Sequence, residues 1–334
     1  MASLGPQTVI LADPGGGNKR EVRVGNISAS WQINGIPRLS ALMPLRDAWR
    51  QGIDDYTDLE LYWQHPTCGM WGGIVKRTRA SGQTLELGAR GMVRKLKKST
   101  VRRTYFQARG SAGALVARAL QDGNGERPLF NTIEVDDAGP LISVEWRGDD
   151  RFQVVDRLAK ASGQQYRVDV AEDFTTTFQF GVRAGEDKTG SVLIAEGYNA
   201  GDMDIIIDSE NVENRILAVS ADDDWADAAW TIVADGKSIR DRGLHQGTRR
   251  YYGLTSPGAL AERARVELNE LRNPTMVATV TMSARTGLLA EITEGDRVRL
   301  WSASMNRRFF FDIEQRAINE STGQVALVGT LEDE

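Results

Sequence analysis

The chain has 334 residues, 41% of them apolar and 26% charged, with a formal net charge of −5. That composition supplies the core of two or three folded domains and argues against a disordered chain or a generic nucleic-acid binder. The single cysteine, Cys68, excludes an intrachain disulfide, and no apolar run reaches the length of a membrane span.

Met1–Gln7 carries no basic stretch followed by an apolar run, so no signal peptide is expected. Thr8–Leu11 is a short apolar strand, followed by the turn Asp13–Asn18. Glu21–Val24 alternates, and Ile27–Ile33 is an irregular strand around Trp31. Pro44 argues against a regular strand within Pro37–Asp47, which reads as irregular. Asp58–Trp63 places Leu59, Leu61 and Trp63 on one face. Trp71–Lys76 begins a hairpin that turns at Ala80-Ser81-Gly82 and returns along Thr84–Leu87. Ala89–Lys98 reads as a short helix.

A mixed segment follows. Ser111–Gln121 is helical, Leu141–Trp146 is a strand, and Asp149 or Asp150 caps a helix carrying Phe152, Val155, Leu158 and Ala159 that stops at Gly163. Tyr166–Val170 and Phe174–Val182 are strands, the latter through a strongly β-forming threonine and phenylalanine run. Asp202–Asp208 then brackets three isoleucines.

From Ile216 to Leu331 the pattern is clearest. Strands are expected at Ile216–Ser220 and Ala226–Ala234. A helix spans Pro257–Arg272, with Ser256 as N-cap, Pro257 at its first position and an apolar stripe of Leu260, Ala264, Leu268 and Leu271. Strands resume at Met276–Met282, Arg297–Trp301, Arg308–Ile318 and Gln324–Leu331. The turn Glu294-Gly295-Asp296 needs a glycine with positive φ. The class is α+β, mainly β: two β units flank a mixed α/β segment.

No motif carries obvious chemistry. His65 and Cys68 are neighbours on one loop, whereas a nucleophilic pair usually joins distant parts of a chain. With one cysteine and two histidines (His65 and His245), a zinc site would need carboxylates to complete it. Asp13–Lys19 follows a strand as a phosphate loop does, but lacks the Gly-Lys-Ser/Thr ending and precedes a strand, so it reads as a hairpin loop. Asp222-Asp223-Asp224 beside Trp225 lacks calcium-loop spacing. Glu134, Asp136 and Asp137 would suit glycoside hydrolysis only if they shared a cleft, and otherwise read as charged loops. Arg94, Lys95, Lys97, Lys98, Arg102 and Arg103 form the one basic cluster. It has no interleaved aromatics, which favours a protein contact or a solvated face over nucleic acid. No catalytic, cofactor-binding or metal site is expected. The competing class, an all-β carbohydrate-binding or cell-wall-hydrolysing module, would stack sugars on Trp49, Trp63 or Trp71.

Four short segments resemble, in their order, the baseplate hub and tail-tip proteins of tailed bacteriophages. These include the contractile-tail hub, the Siphovirus Gp37-like proteins and type VI secretion spike proteins. The segments are Trp71-Gly72-Gly73-Ile74-Val75; Ala89-Arg90-Gly91 with Leu96; Asp156-Arg157-Leu158-Ala159 leading to Gly163; and Ile292–Val298. The resemblance implies two tube-like β-barrel domains, residues 1–105 and 216–334, the second with a helical insertion at about 238–275, joined by an α/β domain at 106–215. It implies a homotrimer in the virion tail tip or baseplate, assembled in the host cytoplasm. Its partners would be a tail-tube or distal tail protein above, a tip, fibre or spike protein below, the tape-measure protein, and DNA passing through the lumen without sequence-specific binding. The chain's end at Glu334 is expected to leave it without a receptor-binding or lytic extension.

Overall fold

The computed structural model describes residues 7–51, 56–101, 106–121, 128–137, 141–146, 148–181, 183–221, 228–251 and 254–334. Contacts divide the chain into a larger unit, Met1–Asp204 with Thr279–Glu334, and a smaller one, Ile205–Ala278.

The larger unit opens with strands β1 (Gln7–Ala12), β2 (Lys19–Gln32), β3 (Arg38–Pro44), β4 (Glu60–His65), β5 (Gly69–Ser81) and β6 (Thr84–Gly91), with helix α1 (Leu45–Arg50) after β3. Every pairing among the six is antiparallel, in the order β1-β4-β5-β6-β3-β2, and β2 returns to β1. The result is a closed barrel, in which β1 covers the first half of β2, Lys19–Val24. Alternation in sequence explains it: Val9 and Leu11, Val22 and Val24, Leu39, Ala41 and Met43, Leu61 and Trp63, and Leu85 and Leu87 are all buried. The glycine loop after β1 is the expected hairpin. Gly15 and Gly16 take positive φ, Asn18 Nδ2 donates to Asp13 at 2.9 Å, and Ala12 pairs with Lys19.

Two local expectations fail here. The stretch around Pro44 is a regular strand, because Pro44 is its last residue and the chain passes straight into α1, where no further ladder N–H is needed. Ala89–Lys98 is not one helix: its first three residues complete β6, and Met92–Lys98 forms a 3-10 helix.

The mixed segment contains β7 (Phe106–Ser111), α2 (Ala112–Gln121), β8 (Thr132–Val135), β9 (Leu141–Trp146), α3 (Arg151–Ser162), β10 (Gln165–Val170) and β11 (Thr176–Gly181). β11 pairs antiparallel with β10 and parallel with β8, and β7 pairs with β9. Leu115, Val116 and Ala119 of α2 and Val155, Leu158 and Ala159 of α3 form one cluster with Tyr166 and Phe178. Ala12, Tyr62 and Ile74 of the barrel join it, so β4 is buried on both faces. Asp150 is the cap of α3, its Oδ1 accepting from Gln153 N at 2.8 Å, and Gly163 ends the helix at φ +69°. Asp150→Ala should therefore lower stability by about 1 kcal/mol in urea unfolding.

Strands β12 (Leu193–Ala195) and β13 (Met203–Asp208) follow. The smaller unit holds β14 (Arg215–Ser220), β15 (Trp230–Ala234), α4 (Gly236–Arg242), β16 (Gln246–Tyr251) and α5 (Pro257–Leu271). β14 pairs antiparallel with β15 and parallel with β16, so these strands pair among themselves and not with the C-terminal strands. Helix α5 starts as its sequence directs: Ser256 Oγ accepts from Ala259 N at 3.3 Å, and Leu260, Ala264 and Leu268 pack on Ile216 and Ala218.

β17 (Thr275–Ser283), α6 (Leu288–Glu291), β18 (Arg297–Ser302), β19 (Arg307–Asn319) and β20 (Gln324–Asp333) complete the chain. The strand order is β12-β18-β19-β20-β17-β13, and β19 also pairs antiparallel with β2. The first barrel and the C-terminal strands therefore share one twelve-stranded sheet, joined along the β2–β19 seam.

Candidate functional site

His65 ends β4 at a turn completed by Gly69, whose φ is +80°. Its Nδ1 accepts from the backbone N–H groups of Thr67 (3.2 Å) and Cys68 (3.1 Å). The ring proton therefore sits on Nε2, which faces Glu320 Oε1 at 3.2 Å. Burial holds the imidazole below its ordinary pKa and pushes the neighbouring Cys68 thiol up. Both ring nitrogens are committed and the thiol is kept protonated, so the pair is not arranged as a base and its nucleophile. The shift has a consequence for stability. The unfolded imidazole takes up its proton near the ordinary value of 6.5, the folded one only at lower pH. The contribution of neutral His65 is thus present above about 6.5 and lost as pH falls through the folded value. Thermal unfolding from pH 7.5 to 5.5 should show wild type losing stability faster than His65→Gln.

The Cys68 carbonyl belongs to a second buried group at the β2–β19 seam. Arg316 stands opposite Trp31 in register and is almost wholly buried. Its Nε donates to Glu294 Oε2 at 2.9 Å, Nη1 to the Ile292 carbonyl at 3.0 Å and Nη2 to the Cys68 carbonyl at 3.4 Å. The guanidinium carbon lies 5.6 Å from the centre of the Trp31 ring. One arginine thus ties the β4–β5 turn, the segment before β18 and the seam together. A bulge puts it there. Phe309, Phe311 and Ile313 are buried at odd positions, the register shifts between Ile313 and Gln315, and burial continues at Arg316 and Ile318.

The turn before β18 is a third junction. Gly295 has φ +95°, and Asp296 is only 1% exposed. Asp296 Oδ1 accepts from Glu186 N at 2.7 Å, and Oδ2 accepts from Lys188 Nζ at 2.9 Å and Thr293 N at 2.7 Å. Burial alone would raise this carboxyl, but the donors from Glu186, Lys188 and Thr293 hold it below the usual range. The turn packs backbone to backbone against Gly185: a Cβ on Gly295 would lie 2.6 Å from Gly185 N, and one on Gly185 2.3 Å from the Gly295 carbonyl carbon. Beside it opens a cleft of about 860 Å³ lined by residues of both signs, Glu134, Asp136 and Glu186 facing Arg167, Arg183 and Lys188.

Of the acidic trio, Glu134 and Asp136 line this cleft, Glu134 accepting from Gln179 Nε2 at 2.9 Å. Asp137 Oδ1 instead takes Ser111 Oγ and the Ala114 N–H at the start of α2. The other candidate residues disperse. Lys95 pairs with Glu60 at 3.0 Å, whereas Arg94 and Lys97 open onto a separate cleft. Arg102, Arg103, Asp222-Asp223-Asp224 and Trp225 lie outside the described residues, as does the Lys98 side chain. Trp63 and Trp71 are buried, their Nε1 groups donating to Gln7 Oε1 at 2.7 Å and the Ser30 carbonyl at 2.9 Å, so neither can stack on a sugar. Trp49 is 74% exposed. His245 is exposed, with Nε2 3.2 Å from the Arg242 carbonyl. Among the described residues no three His, Cys, Asp or Glu side chains gather as a metal site, and no helix is long and apolar enough to cross a membrane.

What the chain does expose is apolar strand surface. β12 ends the sheet, paired with β18 alone. Leu193 on β12, Tyr198 in the following turn (89% exposed) and the neighbours Ile206 and Ile207 on β13 all face solvent. Unpaired edges carrying apolar side chains are surfaces for association.

No family model and no curated protein matches this sequence. Solved structures do match, along nearly the whole chain. A 43 kDa tail protein of prophage MuSo2 from Shewanella oneidensis is 13% identical, with a TM-score of 0.68 over 97% of this chain and 98% of that one. The prophage tail protein gp18 of Listeria monocytogenes EGD-e is 12% identical, with a TM-score of 0.63 over 98% and 95%. An Escherichia coli component of the type VI secretion system, itself described as similar in structure to T4 bacteriophage tail proteins, is 11% identical. Its TM-score is 0.53 over 99% of this chain and 75% of that one. The chain has the fold of these tail proteins from end to end.

Proposed function

We propose that this chain is a structural hub of a phage-type tail, located in the virion tail tip or baseplate. The observation that carries the reading is the fold match to prophage tail proteins across almost all of both chains, with no large part of either left over. In this reading the first barrel and the C-terminal β strands are the two tube-forming units, and three copies arrange six such units in a ring. The ring continues a sixfold tail tube above, meets threefold tip, fibre or spike proteins below, and surrounds a lumen for DNA and tape-measure protein. The exposed apolar residues of β12 and β13 support self-association, because closed symmetric assembly covers such edges. The role is one of assembly, with no catalytic, cofactor or metal site. Quantitative mass spectrometry of purified particles tests it: three copies per tail are expected, and absence from particles, or one copy per tail, would refute it.

A further inference from the structure

A second cleft, of about 610 Å³, lies where β2, β3, β6, β19, the 3-10 helix and α3 meet. Arg38, Arg90, Arg94 and Lys97 line it together with the neutral Gln32 and Gln315, and among the described residues no carboxylate lines it. None of the four cations makes an ion pair among the described residues, although other cations of the larger unit do: Lys95 with Glu60, Arg299 with Glu334, Arg307 with Asp333. Arg94 Nε is buried and finds no hydrogen-bond partner in the described structure, in contrast to Arg316, every nitrogen of which is satisfied. Burial is the main cause that pulls the Arg90 guanidinium below its usual range, and the nearby Arg38 and Arg94 charges add to it. Concentrating cations without an anion disfavours the empty state, and an incoming oxyanion group relieves both the repulsion and the unsatisfied donor.

We propose that this cleft binds an acidic peptide segment of a partner protein, its Asp or Glu carboxylates received by the Arg38, Arg90 and Arg94 guanidinium groups and by Lys97. Guanidinium forks match carboxylates in geometry, and the volume suits a few residues of chain and not a single small ion. A nucleic acid fits less well. The aromatic ring at the site, Phe152, already has Lys97 Nζ 4.7 Å from its centre, over a face on which a base would stack. This assignment does not depend on the tail role.

The test uses the full chain and two labelled probes in fluorescence anisotropy, hexaglutamate and hexathymidylate. Hexaglutamate should bind wild type, weaken as NaCl rises, and lose at least about tenfold in affinity with Arg94→Gln, and more with Arg38→Gln and Arg90→Gln together. Arg94→Gln should leave the melting temperature unchanged or raise it, since it removes a repulsive charge. Failure of hexaglutamate to bind wild type below about 1 mM, or binding that ignores the substitutions, would overturn the proposal. So would tighter binding of hexathymidylate, or a clear fall in melting temperature with Arg94→Gln, which would make that arginine structural.

Discussion

Arg316→Ala is expected to destabilise the larger unit by about 3–5 kcal/mol, the cost of removing one partner from a buried ion pair. The arginine and Glu294 are both nearly inaccessible, at 3% and 8% side-chain exposure. Truncation leaves the Glu294 carboxylate buried without its cation and strips the Ile292 and Cys68 carbonyls of a donor. The seam between the first barrel and the C-terminal strands lies directly beside it, so the loss should appear as one cooperative decrease in the urea midpoint. A double substitution separates charge from packing. Arg316→Met with Glu294→Met should recover most of the loss, because replacing both members of a buried pair by apolar side chains is often neutral. An Arg316→Ala midpoint within error of wild type would mean that the network does not hold the seam.

Gly295→Val is the second large effect, about 2–5 kcal/mol from two sources that act together. At φ +95° a β-branched residue is strained wherever it stands, and here the new Cβ also falls 2.6 Å from Gly185 N, a backbone atom with no rotamer to escape into. Any shift that relieves the clash pulls Asp296 off the Glu186 N–H and Lys188. Gly323→Val is the control. Its φ is +63° but a Cβ there meets nothing within 4 Å, so only the conformational strain of about 1–3 kcal/mol remains. Equal melting temperatures for the two variants would show that the Gly185–Gly295 approach carries no stability of its own.

Much of the architecture follows from local patterns. Helix α5 is framed by Ser256 and Pro257, α3 by Asp150 and Gly163, and both carry an apolar stripe of helical period, so each is visible in a dozen residues. The β1–β2 loop and the β5–β6 turn at Gly82 are equally local, because turn chemistry depends on the residues in the turn. Features set by distant residues are not legible in this way. Arg316 looks like a surface position until the bulge at Ile313–Gln315 changes the parity of β19 and turns it inward. Gly295 reads as a turn glycine, but its tightest constraint is Gly185, more than a hundred positions away. β14 and β15 read like the strands that end the chain. That β14 pairs with β15 and β16 depends on which edges meet, and apolar alternation alone does not encode that. The basic cleft shows the same limit. Arg94 and Lys97 are neighbours in sequence, but Arg38 and Arg90 arrive from the barrel strands β3 and β6, and only the fold shows that Lys95 points to a different partner.

In the proposed arrangement, three copies of this chain build a ring of paired β units in a tail. Averaged electron-microscope images of assembled tail tips, with this chain located by a small fused tag, test it most directly. Such a ring should appear as six β-barrel densities around a central lumen, alternating between two kinds, with three tags related by a threefold axis. A single tagged copy per tip, or six equivalent copies with no threefold grouping of unlike barrels, would contradict it.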